Sequence, residues 1–396
     1  MPTTVMRSEM PVSAGGHTRP LPSGLQNASE NGAFCRPEGQ GVEASIASET
    51  ALGGHPAIDE DLAYGPRVQT WTVIGETGQA AGGAGPEPAL AAADLEVVTG
   101  WAPRPQGWCR GAECIPAAVV GSVADEPRSS VGAVAVALGA ALAVDSEHRI
   151  AVLGHRSASG SGPTSDDAPD VELVGLDRSP HRLFEDREGK TLVVAFASWC
   201  GCRHDLPGWQ ALRDELAGRL DVVAVALDEA PEEVAPFAEP VDLPVLVDVD
   251  RRFADTYELL NVPTVVWVDE QRRVVRRPST EFSDDAFRDF HGVPSGPHLD
   301  AVRRWVHDGV VPGDDVPTRG WTGGLSDDQR QARVEFRLAV ELLRRGDGDA
   351  AARRLAAADA LAPDDLSIWR AGMKLVGEDP FGAAFLERYE DWRARQ

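Results

Sequence analysis

The chain has 396 residues, 42% of them apolar, and a formal net charge of -25 at pH 7. That acidity argues against a basic footprint for nucleic acid or a membrane surface, and the length allows two or three domains with real cores. Arginine carries the positive charge, since lysine occurs only at Lys190 and Lys374.

Residues 1–60 are rich in Gly, Ser, Pro, Glu and Thr and read as a disordered N-terminal segment. The opening MPTTVMRSEMPVSAGG has no basic stretch leading into an apolar core, so it is no secretory signal. The longest apolar run, VGAVAVALGAALAV (131–144), is too short to span a bilayer. The expectation is a soluble, cytoplasmic protein. Cysteines stand at Cys35, Cys109, Cys114, Cys200 and Cys202, an odd number unlike the framework of a small secreted domain. In a reducing compartment, closely spaced cysteines point to redox or metal chemistry.

Residues 62–157 read as a small mixed α/β domain, with a strand at VQTWTVI (68–74) and a small buried helix over 131–144. LEVVTGW, CIPAAVV and HRIAVLG cluster apolar residues between turn signals. In GWCRGAECIP (107–116) glycine and proline flank Cys109 and Cys114, which predicts a loop or tight turn. That pair is a candidate disulfide, half a zinc site without its other half, or a second redox pair serving the one at 200/202.

RSASGSGPTSDDAPD (156–170) is a linker, and after it strands and helices alternate. Apolar runs at 191–198, 221–228, 243–248 and 263–270 are separated by helical stretches near 203–219, 230–238 and 250–259. Near-continuous apolar strands mean a sheet covered on both faces, hence an α/β layer over 166–307. RRVVRR (272–277) follows as an antiparallel strand, its arginines guarding an exposed edge. His181, His291 and His298 are isolated and read as surface or packed residues. HLDAVRRWV (298–306) is helical, and 326–396 is a helical extension. Two helical runs split by GDGD (346–349) resemble one tetratricopeptide-type hairpin, though a single copy also fits a helical pair packed on the α/β layer.

Chemistry concentrates in FASWCGCRHDLP (196–207). Cys200 follows an apolar strand where the next helix begins, so its thiolate meets unpaired N–H groups and the positive end of the helix dipole. Arg203 and His204 add positive field. Such a thiol attacks disulfides, and a second thiol nearby resolves the mixed intermediate. Plain packing and a soft-metal site of Cys200, Cys202 and His204 are the competing readings, the latter without a fourth ligand in the sequence.

Trp199, Cys200, Cys202, Arg203, Leu206 and Pro207 resemble the W-C-x-x-C-R…L-P motif of the thioredoxin superfamily, in particular the AhpC/TSA-like redoxins of the TlpA/ResA kind. Val262, Pro263 and Thr264 resemble that family's cis-proline loop. The resemblance covers roughly 166–282 and implies a thioredoxin-like three-layer α/β fold, flanked here by the small mixed domain and the helical extension. It implies thiol–disulfide exchange without a cofactor, Cys200 attacking, Cys202 resolving, Arg203 favouring the thiolate and Pro263 shaping the substrate groove beside Trp199 and Thr264. Partners would be protein or small-molecule disulfides and a thiol reductant, with neither nucleic acid nor membrane. A peroxiredoxin-like antioxidant peroxidase and a non-catalytic interaction protein are the alternatives; the former would need a Thr-x-x-Cys setting that ASWC lacks.

The chain departs from the family in three ways. The motif is C-x-C, so a 200–202 disulfide closes a tight, strained ring that is easily reduced. The strand position that carries a buried acid in thioredoxins proper is Val194 here. Relatives of the TlpA kind are usually exported.

Overall fold

In a computed structural model of the chain, the structure describes residues 69–111, 113–116, 118, 128–156, 168–311 and 324–395. The expected extension 1–60, Cys35 and most of the linker 156–170 lie outside the described residues. The chain divides into two units. Of the first, the described part is 286–292, which holds the one-turn helix Arg288–His291 closed by Gly292 at φ +73°. The second holds everything that follows.

Its N-terminal module runs β1 (Thr72–Ile74), β2 (Gln79–Ala81), α1 (Ala92–Thr99), β3 (Ala102–Arg104), β4 (Gly107–Arg110), β5 (Glu113–Pro116), α2 (Val131–Leu138), β6 (Ala140–Asp145) and β7 (Ile150–Arg156). A four-stranded sheet has the order β2-β1-β7-β6, and β3-β4-β5 form a separate meander. Trp71, Leu95, Trp101, Trp108, Val131 and Val134 gather into one core on this module.

LEVVTGW opens as helix α1, with Leu95 and Val98 buried at helical spacing. Two local expectations change here. The run 131–144 is a helix only to Leu138; Gly139, at φ +62°, ends it, and β6 starts at the next residue. Residues 107–116 are a β-hairpin rather than a loop, with Trp108 opposite Ile115 and Cys109 opposite Cys114 around Gly111 at φ +60°. The pair between Trp108 and Ile115 is buried, and that packing is what makes strands of a glycine-rich stretch.

The second module runs β8 (Glu172–Gly175), β9 (Pro180–Arg182), β10 (Lys190–Phe196), a 3-10 turn (Gly201–Asp205), α3 (Leu206–Glu215), β11 (Leu220–Ala226), α4 (Pro231–Ala238), β12 (Val245–Val247), α5 (Arg252–Thr256), β13 (Thr264–Val268), β14 (Val274–Ser279) and α6 (Gly296–Asp308). Its seven strands take the order β9-β8-β12-β11-β10-β13-β14. Strand β10 lies parallel to β11 and antiparallel to β13. Leu192 to Phe196 are each at most 1% exposed, as a strand covered on both faces requires. Each buried Leu, Val or Phe among them contributes about 1.5–3 kcal/mol. This is the expected thioredoxin-like α/β layer.

Of the arginines expected to guard the edge at β14, Arg273 is exposed and pairs with Asp269 at 2.7 Å. Arg276 instead is buried, pairs with Glu281 at 3.0 Å and stacks on Trp267, while Arg272 lies over Phe184.

The helical extension is α7 (Asp327–Arg344), α8 (Gly348–Leu361), α9 (Leu366–Leu375) and α10 (Ala383–Arg395). Helix α7 starts at a capping box, Ser326 with Gln329, and serves two cores. Val334, Leu338 and Leu342 pack with Ala143, Ile150 and Val152 of the N-terminal sheet. Ala332, Phe336 and Val340 belong to the core of the α/β layer. The hairpin α7–α8 therefore joins both modules rather than resting on the α/β layer alone.

Candidate active site

Strand β10 ends at Phe196, and the chain turns through 197–200 into the 3-10 turn and α3. Cys200 is extended (φ −107°, ψ 143°) and precedes the turn, its sulfur 3.5 Å from the Cys202 amide nitrogen, which donates to it. Both cysteines are free and buried, at 6% and 4% exposure. The Val262–Pro263 peptide is cis, and the Val262 carbonyl accepts from Cys200 Sγ at 3.7 Å. Thr264 fastens that loop by donating to the Asn261 carbonyl at 2.8 Å. Trp199, Cys200, Cys202, Pro263 and Thr264, chosen from two separate motifs, thus converge at one end of the sheet.

The two thiols have opposite electrostatics. Burial pushes Cys200 up, but hydrogen bonding from Cys202 and the Arg370 charge outweigh it and bring it down to about 6. Burial pushes Cys202 well above the ordinary thiol range, and its contact with the Cys200 thiolate pushes the same way. The surroundings thus favour the thiolate at Cys200 and the protonated thiol at Cys202.

Arg203 turns its guanidinium to the main chain of the turn. Its guanidinium donates to the carbonyls of Ser198 at 2.7 Å and Cys200 at 3.4 Å and stacks over Phe237, so it braces the backbone of the turn. The cation acting on Cys200 is Arg370 of α9, which donates to the Trp199 carbonyl at 3.2 Å. No signal in the sequence marks Arg370. It is one arginine in an amphipathic helix 171 positions away.

An acid is also present, although not on β10. Asp205 closes the 3-10 turn, makes no helix-cap bond and is 5% exposed. Burial and the neighbouring charge of Asp284 raise its carboxyl to about 7. Asp205 was legible as a residue, in CRHDLP, but an aspartate before Leu-Pro reads locally as a helix cap.

Around this centre the tethers are polar. Asp228, fully buried, accepts from the Ser198 amide at 2.9 Å, and Lys374 of α9 reaches Asp228 at 3.3 Å and Glu229 at 3.2 Å. The Ser367 amide donates to the Leu260 carbonyl at 3.2 Å, beside the proline loop.

Cys109 and Cys114 form a disulfide across the β4–β5 hairpin, with Cys109 buried and Cys114 exposed. Among the described residues no three His, Cys, Asp or Glu side chains are grouped to hold a metal ion, so Cys200, Cys202 and His204 form no such set. Nor is any helix among them long and apolar enough to cross a membrane.

Residues 164–277 match the model of the AhpC/TSA family. The thioredoxin-like protein YneN of Bacillus subtilis is 35% identical over 111 residues, which cover 26% of this chain and 64% of that protein, less than two thirds of its length. Among solved structures, the exposed lipoprotein thioredoxin Etrx1 of Streptococcus pneumoniae is 26% identical, covering 29% of this chain and 90% of that one, with TM-score 0.26. The thioredoxin domain of the thiol-disulfide oxidoreductase BVU-2223 of Bacteroides vulgatus is 16% identical, covering 36% and 98%, with TM-score 0.30. The matched segment is similar to the AhpC/TSA family and to a thioredoxin-like protein.

Proposed function

We propose that this redoxin domain is a thiol–disulfide oxidoreductase working through the Cys200–Cys202 pair. The observation that carries the reading is the split between the two thiols, one held as a thiolate and the other protonated, beside the carbonyl of the proline loop. The Cys200 thiolate attacks one sulfur of a substrate disulfide, forming a mixed disulfide and expelling the other sulfur as a thiolate. Cys202 then passes its proton to the Asp205 carboxylate and attacks Cys200 Sγ. The 200–202 disulfide forms, and the substrate leaves with both sulfurs reduced. Two equivalents of an external thiol, or one dithiol, return the pair to its reduced state by the reverse exchange and leave as a disulfide. Asp205, ionising near neutrality, suits the proton transfer.

The experiment is equilibration in glutathione buffers of graded potential, followed by alkylation and mass-spectrometric mapping. Wild type should pass between two free thiols and a 200–202 disulfide at one definable potential. Cys202→Ser should instead accumulate glutathione on Cys200, and Cys200→Ser should accumulate none there. Thiols that stay free in every buffer would refute the reading.

A further inference from the structure

We infer that Arg370, on the helical extension, is a positioning residue of the thiol pair, acting by holding the carbonyl and ring of Trp199 next to Cys200. The inference deepens the exchange reading above, and the extension thereby becomes a working part of the site.

The geometry is specific. Arg370 is 3% exposed and lies between aromatic faces, 5.0 Å from the Trp199 ring centre and 4.1 Å from that of Phe385. Its Nη2 donates to the Trp199 carbonyl at 3.2 Å and its Nε to the Pro380 carbonyl at 3.1 Å. These partners are neutral, so the cation is not spent on a carboxylate. Rings on its flanks exclude water, and a charge acts more strongly in such surroundings. The other groups facing Cys200 have different tasks. Cys202 donates its amide, the proline loop offers the Val262 carbonyl, and Arg203 braces the turn. Asp205 adds negative charge, which opposes a thiolate. Arg370 is the cation left to balance it.

The extension has independent anchors. Ser367 holds the Leu260 carbonyl, Lys374 holds Asp228 and Glu229, and Arg333 of α7 pairs with Asp365 at 3.0 Å. Removing the Arg370 guanidinium therefore leaves α9 attached at several other points.

The test uses reduced full-length protein and follows iodoacetamide alkylation of Cys200 against pH, with the site read by mass spectrometry. Arg370→Gln should move the midpoint up by about one pH unit or more, which is a tenfold lower thiolate fraction on the acid side. Arg370→Lys should restore most of that shift. A normally folded Arg370→Gln protein with an unmoved midpoint would overturn the inference. Should that variant not fold, the reciprocal coupling is read in Cys200→Ser, where α9 amides should exchange hydrogen several-fold faster than in wild type at pH 8. Equal exchange rates would overturn it as well. A wild-type protein that exchanges no disulfides, yet shows the shift in Arg370→Gln, would end the exchange reading and leave the role of Arg370 intact.

Discussion

Ser283 donates its hydroxyl to the Asp205 main-chain oxygen at 2.7 Å and to the Asp205 carboxylate at 3.3 Å, across 78 positions of sequence. The contact fixes an acid whose charge is felt at both thiols. It also packs closely, since a Cβ at Gly208 would come within 2.3 Å of the Ser283 hydroxyl.

Asp205→Asn should slow the resolving step by roughly 10²-fold while Cys200 still alkylates, because a positioned proton acceptor is worth that order. Quenched-flow trapping of the mixed disulfide checks this. The same variant alters stability with pH. The Asp205 carboxyl, raised by burial and Asp284 to about 7, favours the fold in its protonated form, and that contribution is lost as pH rises through 7. Asp205→Asn should therefore lose less stability than wild type between pH 5 and 8, as measured by urea unfolding.

Cys200 has the opposite sign. Hydrogen bonding from Cys202 and the Arg370 charge outweigh its burial and bring its pKa from 9.0 to about 6, so the unfolded chain binds more protons in that interval. The stability that Cys200 contributes is fully present above pH 9 and fades as pH falls through 6. The melting-temperature difference between reduced wild type and Cys200→Ala should grow from pH 6 to 9. A constant difference would contradict a thiolate in the folded state.

Leu338→Ala tests the joining role of α7. Leu338 is fully buried between that helix and the N-terminal sheet, so truncation should cost about 2–5 kcal/mol. Hydrogen exchange should show β6 and β7 losing protection before β10 and β11. Uniform loss across both sheets would mean that the modules unfold as one.

The Cys109–Cys114 disulfide closes a short loop, five positions apart, and its removal should destabilise the N-terminal module by about 2 kcal/mol. With both changed to alanine, the Cys200 alkylation profile should match wild type. Loss of turnover with a dithiol donor in that double variant would instead make the hairpin an electron carrier for the second pair.

The α/β layer was legible because its signals are local. Apolar strands at 191–198 and 221–228 alternate with helices, and strand-to-helix passage at Trp199-Cys200 needs only neighbours to specify it. The pairing of that turn with Val262-Pro263-Thr264 followed from the motif order. In the N-terminal module the same local reading misassigned the hairpin at 107–116, because Trp108 and Ile115 become strand residues only by packing on Trp71 and Val131.

By itself, the sequence determined where the cysteine pair stands, which cysteine opens the helix, and which loop lies against it. Only the tertiary structure decided what those thiols experience. Arg370 reaches Trp199 across 171 positions, Ser283 holds Asp205 across 78, and Arg203, the nearest cation in the chain, turns to backbone carbonyls instead. Thiol reactivity depends on burial and on charge at a few ångströms, and neither quantity is carried by adjacency along the chain.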